Sequence, residues 1–321
     1  MQELKARIIA EQPRFNATLA TEVGTLHPLV QPVAAHVLKA GGKRLRPLLT
    51  LLVARALGYA DDDIYPLACS VELLHSATLL HDDILDDADL RRGMAAAHTV
   101  FGSTATVLAG DALLALANLI VARYGDPRLT ACISEAIIRT ATGEIVEIAH
   151  MRGTDHGRDT YIDIITGKTA WMLRASCELG ALRAGASEEA VRAAAAFGLD
   201  LGIAFQIVDD ALDFADRADT GKPVGGDLRE GKLTPPLIYY LETLSGPERE
   251  AFISRFRDGG FSGDDVARIS AEIRALGIIE RTRELAGNYI EKAAASLETL
   301  PDCPERRTLM QTLAYVQHRD R

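Results

Sequence analysis

The stretch that decides the fold is LACSVELLHSATLLHDDIL, residues 67–85. Its apolar side chains fall on nearly every side of a helix, which indicates a helix buried all round rather than a surface helix with one apolar stripe. Four further stretches, 105–123, 130–150, 161–183 and 187–215, are also long and rich in Ala and Leu, residues that favour helix. No stretch shows a sustained alternation of apolar and polar residues. The sequence therefore predicts an all-α fold.

The chain shows no low-complexity linker and no shift in composition, and it contains no internal repeat of roughly 20 to 50 residues. Its longest polar loop is DRADTGKPVGGDLREGKLTPP, residues 216–236, which lies between two helical stretches. We therefore expect a single large helical domain over residues 1–321.

The composition excludes several classes of protein. With 45 Asp and Glu against 35 Lys and Arg, the chain of 321 residues has a net charge of −10, so it is a poor candidate for unspecific nucleic-acid binding. The N-terminal sequence MQELKARIIAEQPRF is charged throughout and lacks the apolar core of a signal peptide. The longest apolar stretch, 107–122, is interrupted by Asp111 and Asn118 and is shorter than the roughly 18 residues of a membrane span. We expect a cytoplasmic protein without a transmembrane segment.

Five carboxylates stand at the C-terminal end of the 67–85 stretch: Asp82, Asp83, Asp86, Asp87 and Asp89. This end of a helix is the negative pole of its dipole, where anions are disfavoured. In a helix Asp82 and Asp86 share one face, and Asp83 and Asp87 share the adjacent face. Two like charges about 4 Å apart repel by roughly 4 kcal/mol at an effective dielectric constant of about 20. Such a costly arrangement indicates a function.

A second acidic cluster, Asp209, Asp210 and Asp213, ends the 187–215 stretch, and Gln206 lies one turn before it. One such cluster could be a solvated helix end. Two clusters that face each other would form an oxygen-lined site for hard divalent cations. Mg²⁺ fits best, because it takes a few carboxylates and completes its shell with water and substrate phosphates.

Basic residues stand at turns and beside the acidic clusters, as expected for a site that binds a polyphosphate. Arg binds phosphate through its planar fork and Lys as a point charge. The residues concerned are Lys43, Arg44 and Arg46 in GGKRLRP (41–47), Arg91 and Arg92, Lys168 beside Thr169, Lys222 and Lys232.

Together these motifs resemble the trans-isoprenyl (polyprenyl) diphosphate synthase family. The sequence contains Asp82-Asp83-x-x-Asp86 followed by Arg91-Arg92-Gly93, then Gly143-Glu144, Lys168-Thr169-Ala170 and Phe205-Gln206-x-x-Asp209-Asp210-x-x-Asp213. The resemblance covers essentially the whole chain and implies an isoprenoid synthase fold, a helical bundle around a deep central cavity. Two departures stand out: Glu147, where the family often has Gln, and Met94-Ala95-Ala96, where it commonly has Lys-Pro-Thr.

The resemblance also implies roles for individual residues. Asp82 and Asp86, with Asp83 assisting, would hold two Mg²⁺ on an allylic diphosphate, and Asp209, with Asp210 and Asp213 nearby, would hold a third. Lys168, Asp209 and Gln206 would be catalytic. The allylic diphosphate would be bound by Arg91, Lys168, Thr169, Gln206, Lys222 and Lys232, and isopentenyl diphosphate by Lys43, Arg46, His75 and Arg92.

The reaction implied is ionisation of the allylic diphosphate, addition of isopentenyl diphosphate and loss of a proton. Residues 216–236 would close over the site as a flap, because water must be kept from the allylic cation. The resemblance further implies a homodimer, with transient membrane contact possible when an apolar product leaves.

Product length is predicted from two small residues. Thr78 lies four positions before Asp82, roughly 6 Å down the helix, and Ala77 is the next position around. In the family, aromatic residues here close the product tunnel early. Small residues at both positions predict a medium- to long-chain, octaprenyl-like product.

Four other functions share some of these sequence features. A short-chain farnesyl or geranylgeranyl diphosphate synthase and a non-catalytic subunit of a heteromeric synthase stay open, although the chain keeps all the Asp residues that such subunits usually lose. A terpene cyclase is disfavoured because only 5% of the residues are aromatic. A di-iron bundle is disfavoured because residues 33–60 contain no carboxylate to supply the first ligand.

Overall fold

The computed structural model of the chain describes residues 2–39, 44–91, 93–153, 157–215 and 224–319. In this part of the chain, sixteen α-helices, one π-helical turn and one two-stranded hairpin are formed, which confirms the predicted all-α fold. The first helices and the hairpin are α1 (Gln2–Val23), α2 (Gln31–Lys39), α3 (Leu45–Ala56), α4 (Ile64–Leu85), β1 (Leu90–Arg91), β2 (Met94–Ala95), α5 (Ala97–Phe101) and α6 (Ser103–Ala122). The remaining elements are α7 (Pro127–His150), α8 (Arg158–Ile165), the π-helical turn (Thr166–Ala170), α9 (Trp171–Arg183), α10 (Glu188–Asp213), α11 (Gly226–Glu230), α12 (Pro235–Thr243), α13 (Gly246–Asp258), α14 (Gly263–Ala275), α15 (Ile278–Leu297) and α16 (Pro304–Gln317).

Helix α4 has the burial that its sequence predicts. It packs against α6, α3 and α1, and Leu73, Leu74 and Ala77 are fully buried. The antiparallel hairpin of β1 and β2, which pairs Leu90 with Ala95 and Arg91 with Met94, was not predicted. Each of its strands has two residues, too few to show the alternation of a strand.

The described residues group into two compact units. The first comprises Met1–Ile137, Met172–Gly198 and Ser296–Thr312, and α4 forms its centre. In this unit α9 crosses α3 closely: a Cβ at Gly180 would collide with the backbone of Thr50. A glycine is therefore required where these two helices meet.

The second unit comprises Ile138–Trp171, Leu199–Ala295 and Leu313–Arg321. Its core is built from apolar side chains of α10 to α15, with Phe214, Phe256 and Ile273 fully buried. Gly202 of α10 faces Ala170, the last residue of the π-helical turn, and a Cβ there would stand 2.6 Å from the Ala170 Cα. The predicted single domain over residues 1–321 stays a prediction, as does the predicted meeting of the two acidic clusters.

Two helices, α6 and α10, are long and apolar enough to cross a bilayer by length and composition. The apolar window of α10 is 61% buried and that of α6 is 44% buried. Because core helices of water-soluble proteins meet the same criteria, these two helices are weak evidence for a membrane protein.

Candidate active site

The first acidic cluster lies where α4 ends. Asp83 is 2% exposed, and its carboxylate accepts a hydrogen bond of 2.5 Å from Nε of Arg91, which β1 carries. Asp82 is half-buried and Asp86 is exposed. Arg91, predicted to bind a diphosphate, therefore pairs with an aspartate of the same motif, and this pair fixes the hairpin against the end of α4.

The first acidic cluster is not helical along its whole length. Helix α4 ends at Leu85, and Asp86 is its C-cap. Asp87 has a left-handed backbone, with a φ of 48°, so it leaves the helical face that Asp83 occupies. The expected sharing of a face by Asp83 and Asp87 is therefore wrong, because the helix ends before the second residue is reached.

The basic turn before α3 is anchored by a buried ion pair. Arg44 has a φ of 50°, and its guanidinium donates to Glu72 of α4 at 2.5 Å and to the Leu38 carbonyl at 2.8 Å. Both side chains of the Arg44–Glu72 pair are less than 10% exposed, so removing either one would leave the other as an uncompensated buried charge. Arg46 in the first turn of α3 and His75 in α4 are half-buried.

Three predicted substrate-binding residues, Lys43, Arg92 and Lys222, lie outside the described residues, as do residues 216–223 of the predicted flap. The two predicted chain-length residues are described. Ala77 is fully buried in α4. Thr78 is half-buried, and its hydroxyl donates to the His75 carbonyl at 2.9 Å.

The second unit contains a cavity of about 140 Å³ to which five of the predicted site residues contribute. Its wall is built by the end of α7, by α8, by the π-helical turn, by α10, by α11 and by the residues that follow α11. The lining residues are Glu147, His150, Met151, Tyr161, Ile164, Ile165, Lys168, Thr169, Gln206, Asp210, Asp227, Lys232, Leu233 and Thr234.

The π-helical turn places Lys168 and Thr169 on this wall. Gly143 of α7 lies directly against it: a Cβ at Gly143 would collide with the backbone nitrogen of Lys168 and would stand 2.7 Å from the Gly167 carbonyl carbon. The predicted helix 161–183 is thus three segments. The bulge, a feature frequent at functional sites, turns Lys168 towards the carboxylates of α7.

Two lysines converge on one carboxylate at the cavity. Lys168 Nζ lies 2.5 Å from Glu147 and 2.7 Å from Glu144, and Lys232 Nζ lies 3.8 Å from Glu147 and 2.7 Å from Glu230. Burial lowers the pKa of Lys168, but Glu147 and Glu144 outweigh it, so that this pKa lies above its usual value. Lys168 is therefore a fully charged cation.

A chain of hydrogen bonds connects four residues of the cavity lining. Thr169 donates to Gln206 at 2.9 Å, Gln206 donates to Asp210 at 2.8 Å, and Tyr161 donates to the other Asp210 oxygen at 2.5 Å. Burial raises the pKa of Asp210 to about 7, and Asp209 and Glu147 add to this while the two donors oppose it. Burial also raises the pKa of Tyr161, as does the neighbouring Asp210. Both Asp210 oxygens accept hydrogen bonds, so Asp210 holds Gln206 and Tyr161 in place.

The other two carboxylates of the second cluster have different surroundings. Asp209 is 44% exposed and pairs with Arg319 at 2.8 Å, whose guanidinium carbon lies 4.7 Å from the centre of the Phe205 ring. Asp213 accepts a hydrogen bond of 3.0 Å from the backbone N–H of Asp227, at the start of α11. Asp227 is half-buried, and the desolvation of its carboxyl raises its pKa, with Asp210 and Asp213 adding to the rise.

The sequence model of the polyprenyl synthetase family matches residues 27–273. The chain belongs to the polyprenyl synthetase family. This polyprenyl synthetase is 34% identical over 307 residues to the octaprenyl diphosphate synthase of Escherichia coli (strain K12), and the match covers 95% of each chain.

Solved structures agree with this assignment. A decaprenyl diphosphate synthase from Rhodobacter capsulatus has a TM-score of 0.93 at 35% identity, with 100% of this chain and 99% of that chain covered. A polyprenyl synthase from Caulobacter crescentus CB15, complexed with calcium and isoprenyl diphosphate, has a TM-score of 0.92 at 33% identity, with 98% of each chain covered. The fold is that of the all-α isoprenoid synthases, and this polyprenyl synthetase is a prenyltransferase that acts on isoprenyl diphosphates. Other relatives have names from geranylgeranyl to nonaprenyl diphosphate synthase, so the names leave product length open.

Each acidic cluster includes a carboxylate whose chemistry suits a divalent cation. Among the described residues, no group of three or more His, Cys, Asp or Glu side chains could hold a metal ion by itself. Asp86 is exposed and Asp209 is partly exposed, so both present hard oxygen donors to solvent. Such donors suit a cation such as Mg²⁺, whose remaining ligands are water and phosphate oxygens.

The structure of this polyprenyl synthetase also reveals residues that the sequence did not single out. Tyr161 stands seven positions before Lys168 in a helical stretch, and this spacing would have placed both on one face. Arg319 is separated from Asp209 by 110 residues, and no local pattern connects them. Glu147 departs from the family pattern, but that departure gives no sign of its contact with two lysines.

Proposed function

We propose that this chain condenses isopentenyl diphosphate onto an allylic diphosphate in an Mg²⁺-dependent reaction, and that its product is of medium to long, octaprenyl-like length. The observation that carries the proposal is the convergence of Lys168 and Lys232 on one cavity that Gln206 and Asp210 also line. Cations at such a wall suit a diphosphate, because each ammonium group can pair with a phosphate oxygen.

In this proposal the residues keep the roles that the sequence predicts. Lys168 and Lys232, together with Arg91 and Lys222, bind the allylic diphosphate. Thr169 and Gln206 lie beside it, held in place by their hydrogen bonds to each other and to Asp210. Arg46 and His75 bind isopentenyl diphosphate, together with Lys43 and Arg92.

Asp82, Asp86 and Asp209 are the proposed Mg²⁺ ligands. Bound Mg²⁺ supplies charge stabilisation for the leaving diphosphate. Asp83 and Asp213 have supporting roles in this proposal. Asp83 pairs with Arg91, and Asp213 accepts a hydrogen bond from the backbone N–H of Asp227. The calcium in the Caulobacter crescentus structure supports a divalent cation in this family.

The reaction is tested by incubating the purified chain with farnesyl diphosphate, isopentenyl diphosphate and MgCl₂, and then sizing the products. We expect chain growth that EDTA abolishes. Asp86→Asn should reduce the rate about a hundredfold or more, the scale of losing one group that stabilises developing charge.

Asp87→Asn is the matched control for this variant. Asp87 is exposed and has a left-handed backbone, which Asn tolerates as well as Asp does. We expect it to retain activity. Equal losses in Asp86→Asn and Asp87→Asn, or growth that persists in EDTA, would contradict the proposed metal role of this cluster.

The octaprenyl-like length rests on Ala77, which is small, and on Thr78, whose hydroxyl is turned back to the helix backbone. Relatives named octaprenyl and decaprenyl diphosphate synthases support it. Ala77→Phe should shift the products to farnesyl or geranylgeranyl length, because a ring at this position would obstruct a chain growing along α4.

Ala295→Phe, at an exposed position of α15, is the control and should leave the product distribution as it is. Since Ala77 is fully buried, Ala77→Val provides a milder variant, which should shorten the products in part. Unchanged products in both Ala77 variants would refute the assignment of length to this position.

A short-chain synthase and a subunit that needs a partner are the remaining alternatives. The first would make only short products in the assay above, and the second would make none until another chain is added. We also propose that the protein acts in the cytoplasm as a homodimer. The exposed apolar side chains Leu108 and Leu119 of α6 support the dimer.

A further inference from the structure

Glu147 is placed between the two lysines of the cavity. Its carboxylate lies 2.5 Å from Lys168 Nζ and 3.8 Å from Lys232 Nζ, and it lines the cavity. The side chains of Glu147, Lys168 and Lys232 are 17%, 23% and 19% exposed. Solvent therefore screens these contacts less than it screens an ion pair on the surface.

The two neighbouring carboxylates differ from Glu147. Glu144 pairs with Lys168 at 2.7 Å, and Glu230 pairs with Lys232 at 2.7 Å while it is 54% exposed. Neither lines the cavity. A diphosphate that binds both ammonium groups from within the cavity must therefore displace Glu147. Glu144 can keep its contact with Lys168, and Glu230 can keep its contact with Lys232.

We propose that Glu147 is a resident counter-ion that competes with the diphosphate for Lys168 and Lys232, and thereby weakens the binding of diphosphates at this site. The inference rests on the proposed function, since it takes this cavity as the diphosphate site. With Glu147 charged, three glutamates among the described residues lie within 4.0 Å of the two ammonium groups. With a neutral amide in its place, the diphosphate has one fewer anion to displace.

A competing anion has a second consequence for the site. In the absence of a diphosphate it holds both ammonium groups at the cavity wall, so the lysines are positioned before substrate arrives. A diphosphate product is also bound less tightly, since Glu147 regains both lysines when the product leaves. Glu147 would then set how tightly the site binds diphosphates and would leave the chemical step unchanged.

Two other roles for Glu147 predict different behaviour. As a metal ligand, Glu147 would strengthen the binding of a magnesium diphosphate, so its neutralisation would weaken that binding. As a purely structural partner of Lys168, it would affect stability and leave the affinity of the folded protein unchanged. The direction of the affinity change therefore separates the three roles.

The experiment is calorimetric titration of inorganic pyrophosphate, with MgCl₂ present, into the wild-type chain, Glu147→Gln and Glu230→Gln. We expect Glu147→Gln to bind pyrophosphate about fivefold or more tightly, which is the size of one favourable ion pair. Glu230→Gln removes a carboxylate from Lys232 without opening the cavity, and its affinity should stay within about twofold of the wild type.

A second arm tests whether the effect passes through Lys168. Glu147→Gln is introduced into a Lys168→Met background, where the gain in affinity should largely disappear, because the main lysine for which Glu147 competes is gone. Glu147→Asp keeps the charge and should bind pyrophosphate as the wild type does. Thermal unfolding of each variant confirms that folded proteins are compared.

The outcomes are distinct. An unchanged or lower affinity of folded Glu147→Gln overturns the inference, and so does an equal gain in the Lys168→Met background. A folded wild-type chain that binds no pyrophosphate overturns the proposed function of the cavity and the inference with it. Tight wild-type binding with no gain in Glu147→Gln leaves the proposed function standing and removes the counter-ion role alone.

Discussion

The absence of a Cβ at Gly143 allows the π-helical turn to place Lys168 at the cavity wall. A Cβ at this position would collide with the Lys168 backbone nitrogen and stand 3.0 Å from the Gly167 Cα. Because the obstacles are backbone atoms of the π-helical turn, a side chain at residue 143 can be accommodated only if the turn moves. Lys168 would then lose its place beside Glu144 and Glu147.

We therefore expect Gly143→Ala to destabilise the protein by about 1–3 kcal/mol, as overpacking does, although Ala is the better helix former. The matched control is Gly287→Ala in α15, where a Cβ meets no atom within 4 Å. This variant should be stabilised by about 0.5–1 kcal/mol, the difference in helix propensity. Urea unfolding of both variants measures the contrast, and a Gly143→Ala protein as stable as Gly287→Ala would show that the contact is not restrictive.

At the residue scale, the sequence predicts the types of residue in the site better than their partners. Lys168, Gln206 and Asp210 were predicted from motifs and do lie around one cavity. Their motifs gave no sign that Asp210 accepts a hydrogen bond from Tyr161 or that Arg319 pairs with Asp209. These contacts depend on packing between elements far apart in the chain, and a local pattern carries no information about them.

Capping residues specify the ends of the helices, and α14 is a clear case. Ser262 is its N-cap and accepts a hydrogen bond from the Asp265 backbone, while Asp265 accepts from Ser262 and from Arg255. The Arg255 guanidinium and the Ser262 donors hold the pKa of Asp265 well below its usual value of 3.8. The folded state therefore favours ionised Asp265 more than the unfolded state does.

This difference gives a pH dependence of known sign. A carboxyl whose pKa is lowered by folding adds stability above its unfolded pKa, and this stability is lost as the pH falls towards the folded pKa. We expect Asp265→Asn to be less stable than the wild type at neutral pH, and the gap to narrow below pH 3.8. Urea midpoints measured across this range test it. Asp264→Asn, at the exposed neighbouring position, is the control, and an Asp265→Asn gap that is constant with pH would contradict the explanation.

At the element scale, helix positions follow from the sequence but interruptions do not. The 67–85 and 187–215 stretches correspond to α4 and α10 within a few residues. The 161–183 stretch contains a π-helical turn, and Gly143 and Gly167 allow α7 to approach this turn closely. Apolar periodicity records which side of a helix is buried, and it does not record where another backbone comes near.

At the scale of the whole molecule, α6 leaves apolar side chains uncovered. Leu108 is 60% and Leu119 is 53% exposed, and three helical turns separate them, so they share one face. Ala105 and Ala115 are also exposed on α6. Asp111 lies beside these residues and is 59% exposed. Exposed leucines on one helix face make α6 a candidate interaction site, and a second copy of the chain is the partner that the proposed function implies.

The double variant Leu108→Glu/Leu119→Glu should therefore dissociate the proposed dimer, because two carboxylates would be buried against their symmetry mates in an isologous interface. Sedimentation velocity should find the wild type at about twice the chain mass of 34.6 kDa and the double variant at the chain mass. Leu276→Glu changes a leucine that is 54% exposed at the end of α14 and should remain dimeric. A wild-type monomer would disprove the homodimer, whereas a double variant that stays dimeric would move the interface away from this face of α6.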